Sequence, residues 1–125
     1  MLNTPNTFGV WMIGAVVRWI RDEGGLAAMD ARNRRKAAVL YEFLDRSEAW
    51  RGHAKPGSRS TMNVTFRGAT KQLEDTLLAR ADERGMSGLR GHRSVGGLRA
   101  SLYNAFPEQG VQRLVELLDE VERQR

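Results

Sequence analysis

Apolar residues recur along this chain at helical spacing in four stretches and in alternation in two. From Thr4 to Glu23 they cover nearly the whole helical circumference: Phe8, Val10, Trp11, Met12, Ile13, Val16, Val17, Trp19 and Ile20. A helix apolar all round is buried or sits against a partner. Pro5 suits its start and Gly24-Gly25 its end. Ala37, Leu40, Tyr41 and Leu44 predict a second helix over about 26–44. The cluster Arg32, Arg34, Arg35 and Lys36 reads as the solvated face of that helix. Gly52, Pro56, Gly57, Ser58 and Ser60 mark a loop. Met62, Val64 and Phe66 then alternate with Asn63 and Thr65, as a strand with one buried face does. Thr70 can cap a third helix carrying Leu73, Leu77, Leu78 and Ala81, with Gly85 as its stop. In the run Leu98–Tyr103, Leu98, Ala100 and Leu102 share one strand face, and Arg99, Ser101 and Tyr103 the other. A last helix begins at Pro107, with Val111, Leu114, Val115, Leu118 and Val121 as its stripe and acidic residues outside.

The order helix, helix, strand, helix, strand or strands, helix predicts an α+β fold, a small and mainly antiparallel sheet packed by helices. The length of 125 residues leaves room for one core of ordinary size. Twenty basic against 15 acidic residues leave a net charge of +5. That charge permits a polyanionic partner, and an Arg-biased surface on an ordinary domain accounts for it equally. Cysteine is absent, which excludes disulfides and thiolate chemistry. Two histidines are too few for a metal site without carboxylates, so no metal is expected. The apolar run Phe8–Val17 is shorter than the ~20 residues a bilayer requires and lacks the flanks of a signal peptide. A cytoplasmic protein with no membrane partner is the expectation.

Candidate chemistry concentrates between Met86 and Asn104, a Gly-rich stretch with no acidic residue. Gly91-His92-Arg93-Ser94-Val95-Gly96-Gly97-Leu98-Arg99 places two guanidiniums and an imidazole close together. Arg forks take carboxylate or phosphate in bidentate geometry, and flanking glycines allow close approach. An anion site is one reading; a surface hairpin whose arginines meet solvent or a distant acid is the other. Arg99 leaves a strand in a fixed direction, suited to a small carboxylate or to a cross-strand ion pair. Asn3-Thr4-Pro5 before a helix can hold a phosphate or act as a plain N-cap. His53 reads as a solvated loop histidine. Gly88-Leu89-Arg90-Gly91 matches a nucleic-acid G-x-x-G loop only weakly, because it leads into a strand. Nucleophile-elbow, Walker A and zincin patterns are missing.

The run Gly91-His92-Arg93-Ser94-Val95-Gly96-Gly97-Leu98-Arg99-Ala100-Ser101-Leu102-Tyr103-Asn104-Ala105 closely resembles the C-terminal signature of phosphoserine aminotransferases. Asn3-Thr4-Pro5-Asn6-Thr7-Phe8 resembles that family's N-T-P-P-T-F segment. Arg59-Ser60-Thr61-Met62-Asn63-Val64-Thr65-Phe66 resembles its R-S-x-M-N-V-x-F strand. Gly24-Gly25-Leu26 and Pro107-Glu108-Gln109-Gly110-Val111 fall where the family has similar residues. Asn6 in place of a proline and Leu98 in place of the usual Met are the visible departures.

The resemblance implies the aspartate-aminotransferase-like fold with pyridoxal phosphate as cofactor. It implies a homodimer that interconverts 3-phosphohydroxypyruvate plus glutamate with phosphoserine plus 2-oxoglutarate in serine synthesis, without nucleic acid. Asn3 and Thr4 would bind the cofactor phosphate across the dimer interface. His92 and Arg93 would serve the substrate's distal phosphate or carboxylate, and Arg99 its α-carboxylate. Residues 1–24 would form an interface helix with the cofactor-phosphate loop, and residues 25–125 the small domain. The large cofactor domain is expected to be missing, because family members are roughly three times as long and this chain matches the final third. The Schiff-base lysine is missing with it: Lys36, Lys55 and Lys71 sit in no matching motif. The chain alone is therefore expected to have no catalytic residue and no activity. The alternatives are a stand-alone basic α+β module for RNA or another polyanion, and a non-catalytic remnant serving as a regulatory or dimerisation partner.

Overall fold

The computed structural model describes residues 3–125, which divide into two compact units, one running to Arg32 and one from Asn33 to Arg125. The element order is α1 (Thr7–Asp22), α2 (Gly25–Arg46), β1 (Trp50–Gly52), β2 (Asn63–Gly68), α3 (Lys71–Glu83), β3 (Leu98–Ser101) and α4 (Glu108–Arg123). The expected α+β class is observed.

In the first unit, Asn6 caps α1 by accepting from the Gly9 N–H at 2.9 Å. The cap thus falls three residues beyond Asn3. Gly24 and Gly25 turn the chain at φ +99° and +79°, conformations that glycine adopts without a Cβ penalty. None of α1's residues is buried, and Phe8, Val10, Trp11, Ile13 and Val17 are each more than half exposed.

The second unit is built on a three-stranded antiparallel sheet in the order β1-β2-β3. Val64 and Phe66 on β2, and Leu98 and Ala100 on β3, are buried on one face. The core continues through Leu40, Tyr41 and Leu44 of α2, Leu73, Leu77 and Ala81 of α3, and Val111, Leu114, Leu117, Leu118 and Val121 of α4. Thr70 caps α3 through the Leu73 N–H, and Gly85 follows it at φ +71°. Pro107 precedes α4, where its missing N–H costs no hydrogen bond.

Two elements of this unit depart from the sequence expectation. Trp50–Gly52 is a strand, not loop, because it pairs with Phe66–Gly68. Trp50 itself is 1 % exposed and donates its indole N–H to the Leu118 carbonyl at 3.1 Å. Lys36 is not on a solvated face. It is 1 % exposed, and its ammonium donates to the carbonyls of Leu102 (3.0 Å), Tyr103 (2.7 Å) and Phe106 (3.2 Å). A buried ammonium needs such acceptors to offset its lost hydration. Lys36 thereby ties α2 to the turn that follows β3. The Asn33 amide reinforces that tie by donating to Asn104 Oδ1 at 2.7 Å.

Candidate functional site

The expected anion-binding residues of the second unit sit on a closed loop and on the strand that follows it. The Gly91 N–H donates to the Gly97 carbonyl at 2.9 Å and closes the loop. A Cβ on Gly91 would lie 2.2 Å from the Gly96 carbonyl oxygen, so only glycine permits this closure. Inside the loop the N–H groups of Val95 and Gly96 both donate to the His92 carbonyl, at 2.9 and 2.8 Å. His92 Nδ1 lies 2.7 Å from Ser94 Oγ and accepts the Ser94 N–H at 3.3 Å. A backbone N–H can only donate, so Nδ1 is the acceptor in this contact and the ring N–H is assigned to Nε2. That N–H is left as a donor for an external acceptor. Arg93 is exposed at the next position and has no partner among the described residues.

Arg99 is half-buried in β3, opposite Thr65 of β2. Its backbone N–H donates to the Leu89 carbonyl at 2.8 Å, which fixes the residue from the other side as well. The cross-strand ion pair that was one reading of Arg99 does not form, because its partner in register is a threonine. Its Nε is buried with no hydrogen-bond partner among the described residues. A buried donor left unpaired costs about 1–3 kcal/mol, which an acceptor brought to it would remove.

Two cavities touch Arg99. One of about 320 Å³ is lined by His53, Thr65, Arg67, Gly91 and His92 together with Arg99. The other, of about 510 Å³, is lined by Met86, Leu89, Tyr103, Phe106 and Arg113 among others. Arg84 also borders the larger cavity but is committed to Glu120 at 2.6 Å. The hydrogen bond and charge of Arg84, with the charge of Arg80, hold the Glu120 carboxyl below its ordinary range. His92 and Arg99 are thus brought to one cavity, while Arg93 lines neither. His53 and Arg67 join that cavity unannounced by the local sequence. The signal that finds them is strand pairing, since the His53 N–H donates to the Thr65 carbonyl at 2.9 Å.

Asn3 and Thr4 belong to the first unit, where both are exposed and make no hydrogen bond to another described residue. With Asn6 as the cap, their polar groups are not used to start α1. The three lysines are placed otherwise. Lys36 is buried on main-chain carbonyls, Lys55 is exposed in a loop, and Lys71 pairs with Asp75. No group of three or more His, Asp or Glu among the described residues could hold a metal ion, and no described helix is long and apolar enough to cross a membrane.

The model of the class-V aminotransferase family matches residues 1–114. The chain belongs to the class-V aminotransferases. It is 50% identical over 124 residues to the phosphoserine aminotransferase of Geobacillus kaustophilus, covering 98% of this chain and 34% of that protein. Among solved structures, the phosphoserine aminotransferase of Bacillus circulans subsp. alkalophilus superimposes with a TM-score of 0.92 at 44% identity, over 98% of this chain and 34% of that one. A pyridoxal-phosphate-bound phosphoserine aminotransferase from Trichomonas vaginalis gives a TM-score of 0.86 at 38% identity, over 95% and 34%. This class-V aminotransferase chain therefore spans about a third of the length of the relatives it matches.

Proposed function

We propose that this chain supplies the C-terminal third of a phosphoserine aminotransferase. The activity is transfer of an amino group between glutamate and 3-phosphohydroxypyruvate, giving 2-oxoglutarate and phosphoserine. The observation that carries the reading is Arg99: a guanidinium fixed on a strand, with a buried Nε–H that has no acceptor, beside the closed loop bearing His92 and Arg93. An α-carboxylate is the planar acceptor that such a fork takes in bidentate fashion. His92 Nε2–H and Arg93 serve the distal phosphate or carboxylate of the substrate. Identities near one half to phosphoserine aminotransferases support this reading over an RNA-binding module.

The residues present suit one end of pyridoxal phosphate. Asn3 and Thr4 offer exposed polar groups with no internal use, as cofactor-phosphate contacts require, and in a homodimer they would serve the neighbouring subunit's site. The aldehyde end needs an amine in a shielded pocket; Lys36 is held on main-chain carbonyls, Lys71 pairs with Asp75, and Lys55 stands exposed in a loop. Pyridoxal phosphate supplies the electron sink for moving the amino group. This chain's part is to bind and orient the acids that react there. A small domain at residues 25–125 and an interface helix at 1–24 are the corresponding parts. The exposed apolar face of α1 supports that assignment, because a face of that kind is covered in a working assembly.

The test is a chimera in which this chain replaces the matching residues of the Geobacillus kaustophilus relative. Transamination of phosphoserine by the chimera, with none by the 125-residue chain alone, is the expected result. A folded, dimeric chimera that binds pyridoxal phosphate yet leaves phosphoserine untouched would overturn the reading.

A further inference from the structure

The basic chemistry beside Arg99 extends beyond the residues the sequence singles out. Alternation along β2 turns Val64 and Phe66 to the core and Thr65 and Arg67 to the opposite face. On β3 it turns Leu98 and Ala100 inward and Arg99 and Ser101 outward. Directly opposed residues of antiparallel strands share a face, so register places Arg51 beside Arg67 and Thr65 beside Arg99. The outward face of the sheet therefore gathers Arg51, Arg67 and Arg99 among Asn63, Thr65 and Ser101, with no acid. His53 follows β1 and stays in register through its N–H bond to the Thr65 carbonyl.

The 320 Å³ cavity joins these groups to the loop. Its lining holds two imidazoles, His53 and His92, and two guanidiniums, Arg67 and Arg99, and none of the described residues lining it is acidic. Like charges gathered at one cavity repel, and a bound anion relieves that cost. Arg67 also positions the loop. One of its Nη groups donates to the Val95 carbonyl at 2.5 Å, and Gly97 leaves room for its stem, since a Cβ there would meet Arg67 Cγ at 3.0 Å. The His53 side chain has no hydrogen bond or ion pair among the described residues. A carboxylate presents two acceptor oxygens in one plane. A phosphate presents three or four, in tetrahedral array, and suits donors arriving from two strands and a loop.

We propose that His53 and Arg67 are specificity-determining residues of the anion site, joining His92 around a phosphate-class dianion while Arg99 keeps the α-carboxylate. The inference rests on the reading of His92 and Arg99 as substrate-anion residues and extends it to two positions on β2 and after β1.

The chain's two histidines give a direct assay. Their imidazole NMR signals are assigned with His53→Gln and His92→Gln, and the full 125-residue chain is titrated with inorganic phosphate at constant pH, against chloride at matched ionic strength. Both rings are expected to shift along one saturable curve with a common Kd, and chloride to produce no saturation. Loss of one charge-assisted donor is expected to weaken binding about tenfold in Arg67→Gln. His53→Gln, which removes no hydrogen bond among the described residues, is expected to weaken the His92 response severalfold. Amide dispersion checks that each variant is folded. If His92 saturates while His53 does not move, and both variants keep the wild-type Kd, the inference fails and the reading of His92 and Arg99 stands. If neither ring saturates, the anion reading fails with it.

Discussion

Replacing Lys36 by Met removes a buried ammonium that joins α2 to the turn after β3 through three carbonyls at 2.7, 3.0 and 3.2 Å. Methionine matches the length of lysine but offers no donor, so the carbonyls of Leu102, Tyr103 and Phe106 lose their ammonium partner. Each buried acceptor left without a partner costs about 1–3 kcal/mol. Removing the buried charge returns part of that, because the ammonium no longer has to be dehydrated. Two of the three contacts are only partly buried and can be rehydrated. The net expectation is a loss of about 3 kcal/mol. For a urea slope of about 1.5 kcal/mol/M that moves the unfolding midpoint down by about 2 M. Equilibrium urea unfolding followed by tryptophan fluorescence reads this directly, since buried Trp50 reports on the same core. Lys55→Met, at an exposed loop position, is the control and is expected to change stability by less than about 0.5 kcal/mol. A Lys36→Met midpoint equal to that of the control would refute the claim that this ammonium holds the turn.

Three further outcomes follow from the same structure. Trp50→Phe loses the indole bond to the Leu118 carbonyl and leaves space in the core, for an expected loss of about 2–4 kcal/mol by urea unfolding; a loss under about 1 kcal/mol would contradict the packing described. Gly91→Ala drives a Cβ into the Gly96 carbonyl, so hydrogen exchange at the residue 91 amide should rise sharply as the bond to Gly97 opens, whereas retained protection would show that the closure does not depend on glycine. Burial raises the Glu122 pKa, but bonds from the Ser47 hydroxyl and the N–H groups of Glu48 and Ala49, with the charge of Arg125, outweigh it and hold the carboxyl below its ordinary value. The folded state therefore favours the ionised form: its stabilisation is complete above the unfolded carboxyl's pKa and is lost as pH falls through the lower folded value. Glu122→Gln should accordingly lower the thermal midpoint at neutral pH and converge on wild type in acid; an equal gap at both would refute the assignment.

The helices and the two longer strands were legible because their apolar periods are set by the faces they bury. Leu73, Leu77 and Ala81 recur on one side of α3, and Val64 and Phe66 alternate along β2. Their boundaries carried chemistry of their own in Thr70 and Gly85. β1 was not legible, because a three-residue strand has too few positions to show a period and gains its identity from pairing with Phe66–Gly68. Lys36 was hidden by its neighbours: Arg35 beside it is exposed and reaches Glu108, while Lys36 lies one helical turn before the fully buried Leu40. Reading position 36 as part of the stripe that includes Leu40 and Leu44 would have found it. The cap at Asn6 lay one residue past the motif that drew attention. The acid-free, glycine-rich run that carries His92, Arg93 and Arg99 was legible because it is a local property, and of the three the fold brings His92 and Arg99 to one cavity. His53 and Arg67 were not, because only strand register brings them to the same cavity.

The central claim is that Arg99 grips the α-carboxylate of the substrate, and the steady-state kinetics of Arg99→Lys in the Geobacillus kaustophilus chimera test it most directly. Lysine keeps the charge but not the bidentate fork, so kcat/KM for phosphoserine and for glutamate, which share that carboxylate, should both fall by about 100-fold while pyridoxal phosphate stays bound. Values within about twofold of the unsubstituted chimera for both amino acids would contradict the account.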